Sequence, residues 1–436
     1  MQKKLGKLSN IYIVLTFFCA ASYFFGFYFE ENSAGAGTLN GDFKNTWKNI
    51  NTFKNYGLGQ ALGFVNEGDR DYYISSRTPV LYIFIAYLNP FTKNIPEYLN
   101  SIFIFSLIGP VLFYILLRSK LKNINTEILI LISSILFLSP YFRTSGFWGN
   151  EENFGTLSLI ISLIFLEKFK NEIHLNSFSF NSLFLIFFSS LTLYFDQKLL
   201  IIPLLCFIEI ILSDKKLKSK FYHVFFYFIC SLPFIYFIYE WKNIIPTGDA
   251  LERAIGKKIY ISHLGFASTI IVFYLFPFFV IGEEFKNNFK IFIKTKISLF
   301  PLVMFLIYVI ANNFLYDFQG DTILGKGIVH KFTAVLFQDE FLKKFFLGMS
   351  FFISLSSIYI YCMNNFQKKL IFGYFLFTPV IIYPFQQEYF DPIILILVFY
   401  FFSKNLILVK KNILFLISYF SIFLVSANIY YYLTLR

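Results

Sequence analysis

The side chains of this 436-residue chain that are able to move protons or hold anions fall into a few short stretches. Asp42 follows Asn40-Gly41 and precedes an amphipathic stretch with Trp47 and Phe53, and Arg77 stands before Thr78-Pro79. Arg143, Trp148, Glu151 and Glu152 crowd into one turn-length segment, and Asp196-Gln197-Lys198 form another. Lys326, His330 and Lys331 lie on a glycine-rich run that starts at Gly320, and Glu388 and Asp391 flank Tyr389 beside Pro392. Carboxylates of this kind take protons from hydroxyls, and cations on a backbone that allows close approach stabilise a phosphate as its charge grows.

Each stretch also has a structural alternative. An aspartate after Asn-Gly is most often a helix N-cap, and spacing alone favours that reading of Asp42. Phe147 and Trp148 suit an interfacial aromatic belt, which accounts less well for Arg143, Glu151 and Glu152 so close together. The glycine-rich run reads equally as a solvated connector. Two carboxylates at the end of an apolar run are costly unless solvated or paired, which favours a functional reading of Glu388 and Asp391. Glu209 lies within reach of Lys215 or Lys216 and reads as structural.

Several chemistries are excluded. There is no HxxH or HExxH spacing, P-loop, nucleophile elbow or dinucleotide-binding glycine pattern after a strand. Cys19, Cys206, Cys230 and Cys362 all fall in apolar runs, so neither a disulfide framework nor a Cys/His metal site is expected. No metal site and no cofactor are expected, although a divalent cation between Glu388, Asp391 and a phosphate stays open.

The elements that must position these residues follow from composition. Hydrophobic residues make up 57% of the chain and charged ones 15%, with mean hydropathy +0.61; soluble domains run near 45–50% and about 25%. Apolar runs long enough for hydrocarbon recur, and backbone in hydrocarbon must bond internally, so the expected fold is all-α, a polytopic integral membrane protein. About thirteen spans are expected, near 10–29, 100–117, 125–142, 153–167, 178–195, 199–213, 221–240, 265–283, 297–312, 345–363, 370–386, 390–403 and 412–433. The net charge of +12 sits mostly in compact clusters between runs, as orientation signals do, so nucleic acid is not an expected partner.

Pro79 to Phe91 decides the topology. Counted as a span, it would put Arg118, Lys120 and Lys122 outside; read as a helix on or dipping into the outer surface, it leaves every basic cluster inside. The N-terminus is then cytoplasmic behind Lys3, Lys4 and Lys7, the C-terminus extracytoplasmic, and most of the 26 acidic residues face outward. Residues 1–436 read as one transmembrane domain. Its long outer loops include 30–99, with interfacial helices, and 313–344. Short loops point to a bacterial inner membrane rather than the endoplasmic reticulum.

In this setting the chain resembles the GT-C membrane glycosyltransferases. Gly41-Asp42-Phe43 with Trp47, then Arg77-Thr78-Pro79-Val80-Leu81-Tyr82, look like the acidic residue, interfacial helices and proline-containing segment of that superfamily's first outer loop. Many members have two consecutive prolines where this chain has Thr78-Pro79. Patches resemble one branch, the dolichyl-phosphate-glucose α-1,2-glucosyltransferases: Phe195-Asp196-Gln197-Lys198, the Gly320 to Lys331 run, and Gln387-Glu388-Tyr389, which lacks that branch's arginine.

The resemblance implies an inverting transfer of a sugar from a polyprenyl-phosphate donor to a lipid-linked glycan, polysaccharide or protein acceptor at the extracytoplasmic face. Asp42 would be the catalytic base. Lys326, His330, Lys331, Arg77, Arg143 and Lys198 would hold the donor phosphate, and Trp148, Glu151, Glu152, Glu388 and Asp391 the sugar or acceptor. Membrane lipids are the remaining partners. Two other classes stay open: an O-antigen-type polymerase or lipid-linked-oligosaccharide flippase, and a non-catalytic membrane protein. A flippase should carry charge through its spans, whereas here charges stop at the rims.

Overall fold

A computed structural model describes residues 2–34, 38–39, 41–75, 77–172, 179–213, 216–246, 259–282, 290–292, 294, 299–314, 327–362, 365–382 and 385–434. The chain forms two compact units, Met1–Leu251 with Phe420–Arg436, and Glu252–Tyr419. Among the described residues the secondary structure is helical, with one isolated bridge between Gly282 and Leu406.

The first unit contains α1 (Gln2–Tyr28), α2 (Asp42–Glu67), α3 (Val80–Leu88), α4 (Ile95–Ser106), α5 (Ile108–Lys120), α6 (Thr126–Ser133), α7 (Pro140–Trp148), α8 (Glu151–Asn171), α9 (Phe180–Phe195), α10 (Ile201–Leu212) and α11 (Leu217–Trp241). Helix α8 is its centre, packed against α5, α7, α9 and α10. Local chemistry fixes the ends. Asn94 accepts from the Glu97 amide at 2.9 Å and starts α4, and Ser139 accepts from the Phe142 amide at 3.1 Å and starts α7, with Pro140 in its first turn. Helix α8 begins on Glu151 and Glu152 and ends on Lys168 and Lys170, charges that match the helix dipole at both termini. Away from its first turn, Lys120 pairs with Glu167 at 3.0 Å and Lys170 with Glu209 at 2.7 Å. Among the described residues Glu209 pairs with Lys170, which a neighbouring helix supplies; Lys215 lies outside the described residues.

The second unit contains α12 (Ser262–Ile281), α13 (Leu299–Phe314), α14 (Ile328–Leu336), α15 (Glu340–Cys362), α16 (Phe366–Phe377) and α17 (Ile393–Phe402). Helix α12 is its centre, packed against α14 to α17. Helix α18 (Lys410–Thr434) follows, its part from Phe420 belonging to the first unit.

Among the described residues, six helices are long and apolar enough to cross a membrane: Asn10–Tyr28, Ile95–Lys120, Leu217–Trp241, Ser262–Ile281, Glu340–Ile360 and Lys410–Leu433. A seventh span is possible if Thr126–Leu138 and Pro140–Trp148, bent by 69° where Ser139 and Pro140 break the helix, count as one. The protein thus has the helices of a multi-pass membrane protein. The expectation of about thirteen spans exceeds what these residues support, since other apolar runs form helices such as Phe180–Phe195, Leu299–Asn313 and Ile393–Phe402 that are short for a lone crossing. Pro79 to Phe91 contains only the nine residues of α3, which rise roughly 14 Å against about 30 Å of hydrocarbon.

Arg143 ties α7 to the end of α1. Its Nε donates to Glu31 Oε1 at 2.8 Å, Nη1 to Ser22 Oγ at 3.3 Å and the Phe137 carbonyl at 2.9 Å, and Nη2 to the Ser22 carbonyl at 2.8 Å and to Glu31 Oε2. Tyr23 and Phe147 pack on the guanidinium, centroids 5.6 and 5.4 Å away, and the side chain is 2% exposed. All its N–H donors are used within the protein, which leaves none for a phosphate. Trp148 likewise donates Nε1 to the Glu31 carbonyl at 3.1 Å. Gly26 makes room for this: a Cβ there would lie 2.2 Å from Arg143 Nη2 and 2.4 Å from Glu31 Oε2.

Removing one partner of a buried pair strands the other, so Arg143→Met is expected to destabilise the protein by about 3–5 kcal/mol. Gly26→Ala, which overpacks the pair, is expected to cost about 1–3 kcal/mol. Thermal unfolding in detergent measures both; an Arg143→Met midpoint equal to wild type would contradict the clamp.

Candidate functional site

Helix α2 begins at Asp42, and Gly41 holds the N-cap position without a side-chain cap bond. Asp42 is thus not the cap that spacing favours; it lies one residue later, in the first turn, where its charge still suits the helix dipole. The helix follows from its apolar spacing, with Phe43, Thr46, Ile50 and Phe53 on the buried side. Asn49 on that side exchanges two bonds with the backbone of Ile74, donating at 3.1 Å and accepting at 2.8 Å. Thr52 Oγ1 donates to the Tyr72 carbonyl at 2.5 Å, Tyr73 Oη to the Arg77 carbonyl at 2.9 Å, and Thr78 Oγ1 to the Tyr194 carbonyl at 2.9 Å. The segment between α2 and α3 is fastened at four residues, and Arg77 is aimed at the start of α8.

There the guanidinium forks: Nη1 pairs with Glu151 and Nη2 with Glu152. Tyr82 Oη donates to Glu151 as well. Lys198 Nζ lies 3.4 Å from Glu152 Oε1 and 3.4 Å from Asp196 Oδ2, and Asp196 is 1% exposed. Asp196 reaches this position because α8 presents Gly155 to it; a Cβ on Gly155 would come within 2.8 Å of the Asp196 Cβ.

Four carboxylates, those of Asp42, Glu151, Glu152 and Asp196, stand here against two cations, Arg77 and Lys198. Carboxylates in excess compete for the available positive charge, and their proton affinities are driven apart. Burial raises Glu151, Arg77 pulls it back, and the charges of Glu152 and Asp42 raise it again, leaving it above the usual glutamate range. Burial acts on Glu152 in the same sense, but Arg77 and Lys198 outweigh it and hold that carboxyl low. Asp42 has an exposed side chain yet stands near enough to protein for desolvation, and then Glu152, to raise it, with Arg77 and Lys198 opposing. The result is a set of acids whose proton affinities are pushed apart, the arrangement that acid–base chemistry needs.

Sequence reasoning named Asp42, Arg77, Glu151, Glu152 and Lys198, and the structure gathers all five in the first unit. Arg143 and Trp148 belong to the Glu31 cluster instead. Tyr82 and Asp196, which the sequence carries only as parts of motifs, take a place at the site, and Asn153, not singled out from sequence, is fully buried with both carboxamide atoms lacking a partner among the described residues. The Asn150 Oδ1 and Gln197 Nε2 atoms are buried and unpartnered too. Their signal was one of position, polar residues within a turn of Glu152 or Lys198, and the abundance of asparagine in the chain hid it.

In the second unit the glycine-rich run and the Gln387 segment meet. Gly327 takes φ of 87°, and the Ile328 amide donates to Gln387 Oε1 at 2.8 Å. His330 is buried with its ring edge on Phe266, centroids 4.6 Å apart, and Phe266 also packs on Phe385 at 5.7 Å. Lys331 is half-buried, and desolvation pushes its ammonium down to about 8. Glu388 is half-buried on a short 3-10 turn and Asp391 is 1% exposed, its amide bonded to the Gln387 carbonyl at 3.1 Å. Lys326 lies outside the described residues.

The chain has the helices of a multi-pass membrane protein and, among the described residues, a charge-dense cluster at the start of α8. Compared with protein-family models, curated proteins and solved structures, it matches none of them.

The raised Glu151 sets a pH dependence. In the native state it binds its proton more tightly than when unfolded, so its contribution to stability falls as pH rises above the ordinary glutamate range. Glu152 has the opposite sign, contributing stability at neutral pH that is lost as pH drops through its lowered value. Glu151→Gln is expected to flatten the decline on the neutral side while keeping the loss in acid. Unfolding midpoints across the acid-to-neutral range test this, and an unchanged decline in the variant would assign the effect elsewhere.

Proposed function

We propose that the protein is a membrane glycosyltransferase that moves a sugar from a polyprenyl-phosphate donor to a lipid-linked glycan, polysaccharide or protein acceptor at the extracytoplasmic face. The observation that carries the reading is the gathering of Asp42, Glu151 and Glu152 with Arg77 and Lys198 in the first unit. Transfer of a glycosyl group passes through a transition state with positive charge at the anomeric carbon, and a carboxylate excess favours that charge more in the transition state than in the ground state. Asp42 is the base: its raised proton affinity brings it nearer to the working range for an acceptor hydroxyl, and its exposure leaves it reachable. Glu151 in its protonated form becomes a hydrogen-bond donor where a second anion would repel phosphate, and Arg77 holds it in position.

The transfer is a single displacement. The acceptor oxygen forms the new bond to the anomeric carbon, the phosphate oxygen departs with the electron pair of the broken bond, and Asp42 takes the acceptor proton. Arg77 and Lys198 are the cations nearest this chemistry. His330 and Lys331 in the second unit remain candidates for donor phosphate, and Glu388 and Asp391 for sugar or acceptor hydroxyls. A bacterial inner membrane, with Asp42 on its outer side and about thirteen segments embedded, fits the charge pattern between the apolar runs.

The test is transfer from radiolabelled polyprenyl-phosphate hexoses by the protein in liposomes. Asp42→Asn is expected to fold and to lose at least about 100-fold in rate. Wild-type activity in that variant would remove Asp42 as the base, and no transfer from any donor would count against the enzyme itself.

A further inference from the structure

Away from the Arg77 cluster an opening lies where the end of α1 meets the last turns of α18 in the first unit. It is a cavity of about 730 Å³, lined among others by Phe25, Phe29, Glu30, Glu31, Asn428 and Tyr432. Its two kinds of wall differ. Phe25, Phe29 and Tyr432 stay 63%, 72% and 55% exposed on, or just beyond, two helices long and apolar enough to cross a membrane, so they offer apolar and aromatic faces at the level where such helices end. The polar end carries two carboxylates of unequal standing. Glu31 is neutralised by Arg143 and receives a further bond from Asn428 Nδ2 at 3.1 Å. Glu30, exposed and at φ of 52°, pairs with no cation among the described residues.

We infer that this cavity binds the ammonium headgroup of an ethanolamine phospholipid from the surrounding bilayer. The net charge at the polar end is that of Glu30, which repels anionic lipid and attracts an ammonium. A primary ammonium has three N–H donors, and this end supplies acceptors in the Glu30 carboxylate and the Asn428 carbonyl, whose amide nitrogen is already engaged. The aromatic faces of Phe29 and Tyr432 add cation–π attraction, and Phe25 and Phe29 border the acyl chains. A quaternary choline keeps the charge but has no N–H to donate, and a glycerol headgroup keeps neither. Occupancy would pack lipid beside the Arg143–Glu31 clamp and so stabilise the start of the first loop.

The experiment uses the full-length protein with three probes: vesicles of phosphatidylethanolamine, phosphatidylcholine or phosphatidylglycerol, each with a trace of its own fluorescent analogue. Retention through purification in mild detergent is read by native mass spectrometry. Ethanolamine lipid is expected to be retained about tenfold over the other two, and Glu30→Gln, at an exposed position that keeps the fold, is expected to erase the preference. Phe29→Ala is expected to lower retention of all three. Equal retention of choline or glycerol lipid by wild type, or an unchanged preference in Glu30→Gln, would overturn the inference. Displacement of the lipid by soluble phosphoethanolamine would show a site for a free amine and would overturn the lipid assignment.

Discussion

The guanidinium of Arg77, divided between Glu151 and Glu152, is the interaction on which the first unit's polar chemistry depends. A half-buried cation is favoured by carboxylates against it, and two adjacent carboxylates at one helix start are favoured by a cation between them. The pairing fixes geometry in both directions. It holds the segment after α2 against α8, and it orients the first turn of α8 toward that segment. It does not balance the charge, because Asp196 shares Lys198 and Asp42 adds a further acid. Separated proton affinities follow from that imbalance, and the proposed sugar transfer follows from them.

Arg143 makes the contrast clear. It too pairs an arginine with a glutamate and joins segments far apart in the chain, and its neighbours are also aromatic. Yet one carboxylate, two backbone carbonyls and a serine hydroxyl satisfy every donor it has, and nothing is left over. A saturated pair with matched charge holds structure. An unsaturated cluster with charge in excess can respond to a ligand, and the buried, unpartnered carboxamide of Asn153 beside it belongs to the same pattern.

Much of the fold was legible because hydropathy and helix formation answer to the same requirement, that backbone in an apolar setting bonds to itself. Helix interruptions were less so. The run from 125 to 142 reads as one apolar segment, but Ser139 caps a new helix and Pro140 starts it, and the two halves diverge by 69°. For the site, sequence named residues and could not sort them. Arg77 and Arg143 both stand next to aromatic segments in expected outer loops, and only the count of partners in three dimensions separates a candidate ligand from a clamp. Spacing alone favours a helix cap at Asp42, but Gly41 takes that position and Asp42 falls in the first turn. Glu209 reads from sequence as structural, with a lysine near in the chain as its partner, whereas α8 provides Lys170.

The central claim is that, among the described residues, the cluster at the start of α8 carries more carboxylates than cations, so that Glu151 holds its proton more tightly than an ordinary glutamate. Infrared spectroscopy reports this directly, because a protonated carboxyl has a carbonyl stretch distinct from that of a carboxylate. At neutral pH the protein in lipid should show a protonated-carboxyl band that persists in Asp42→Asn and disappears in Glu151→Gln. A spectrum without such a band, or one that Glu151→Gln leaves unchanged, would mean that the charges at Arg77 are balanced and that the site argued from their imbalance is not there.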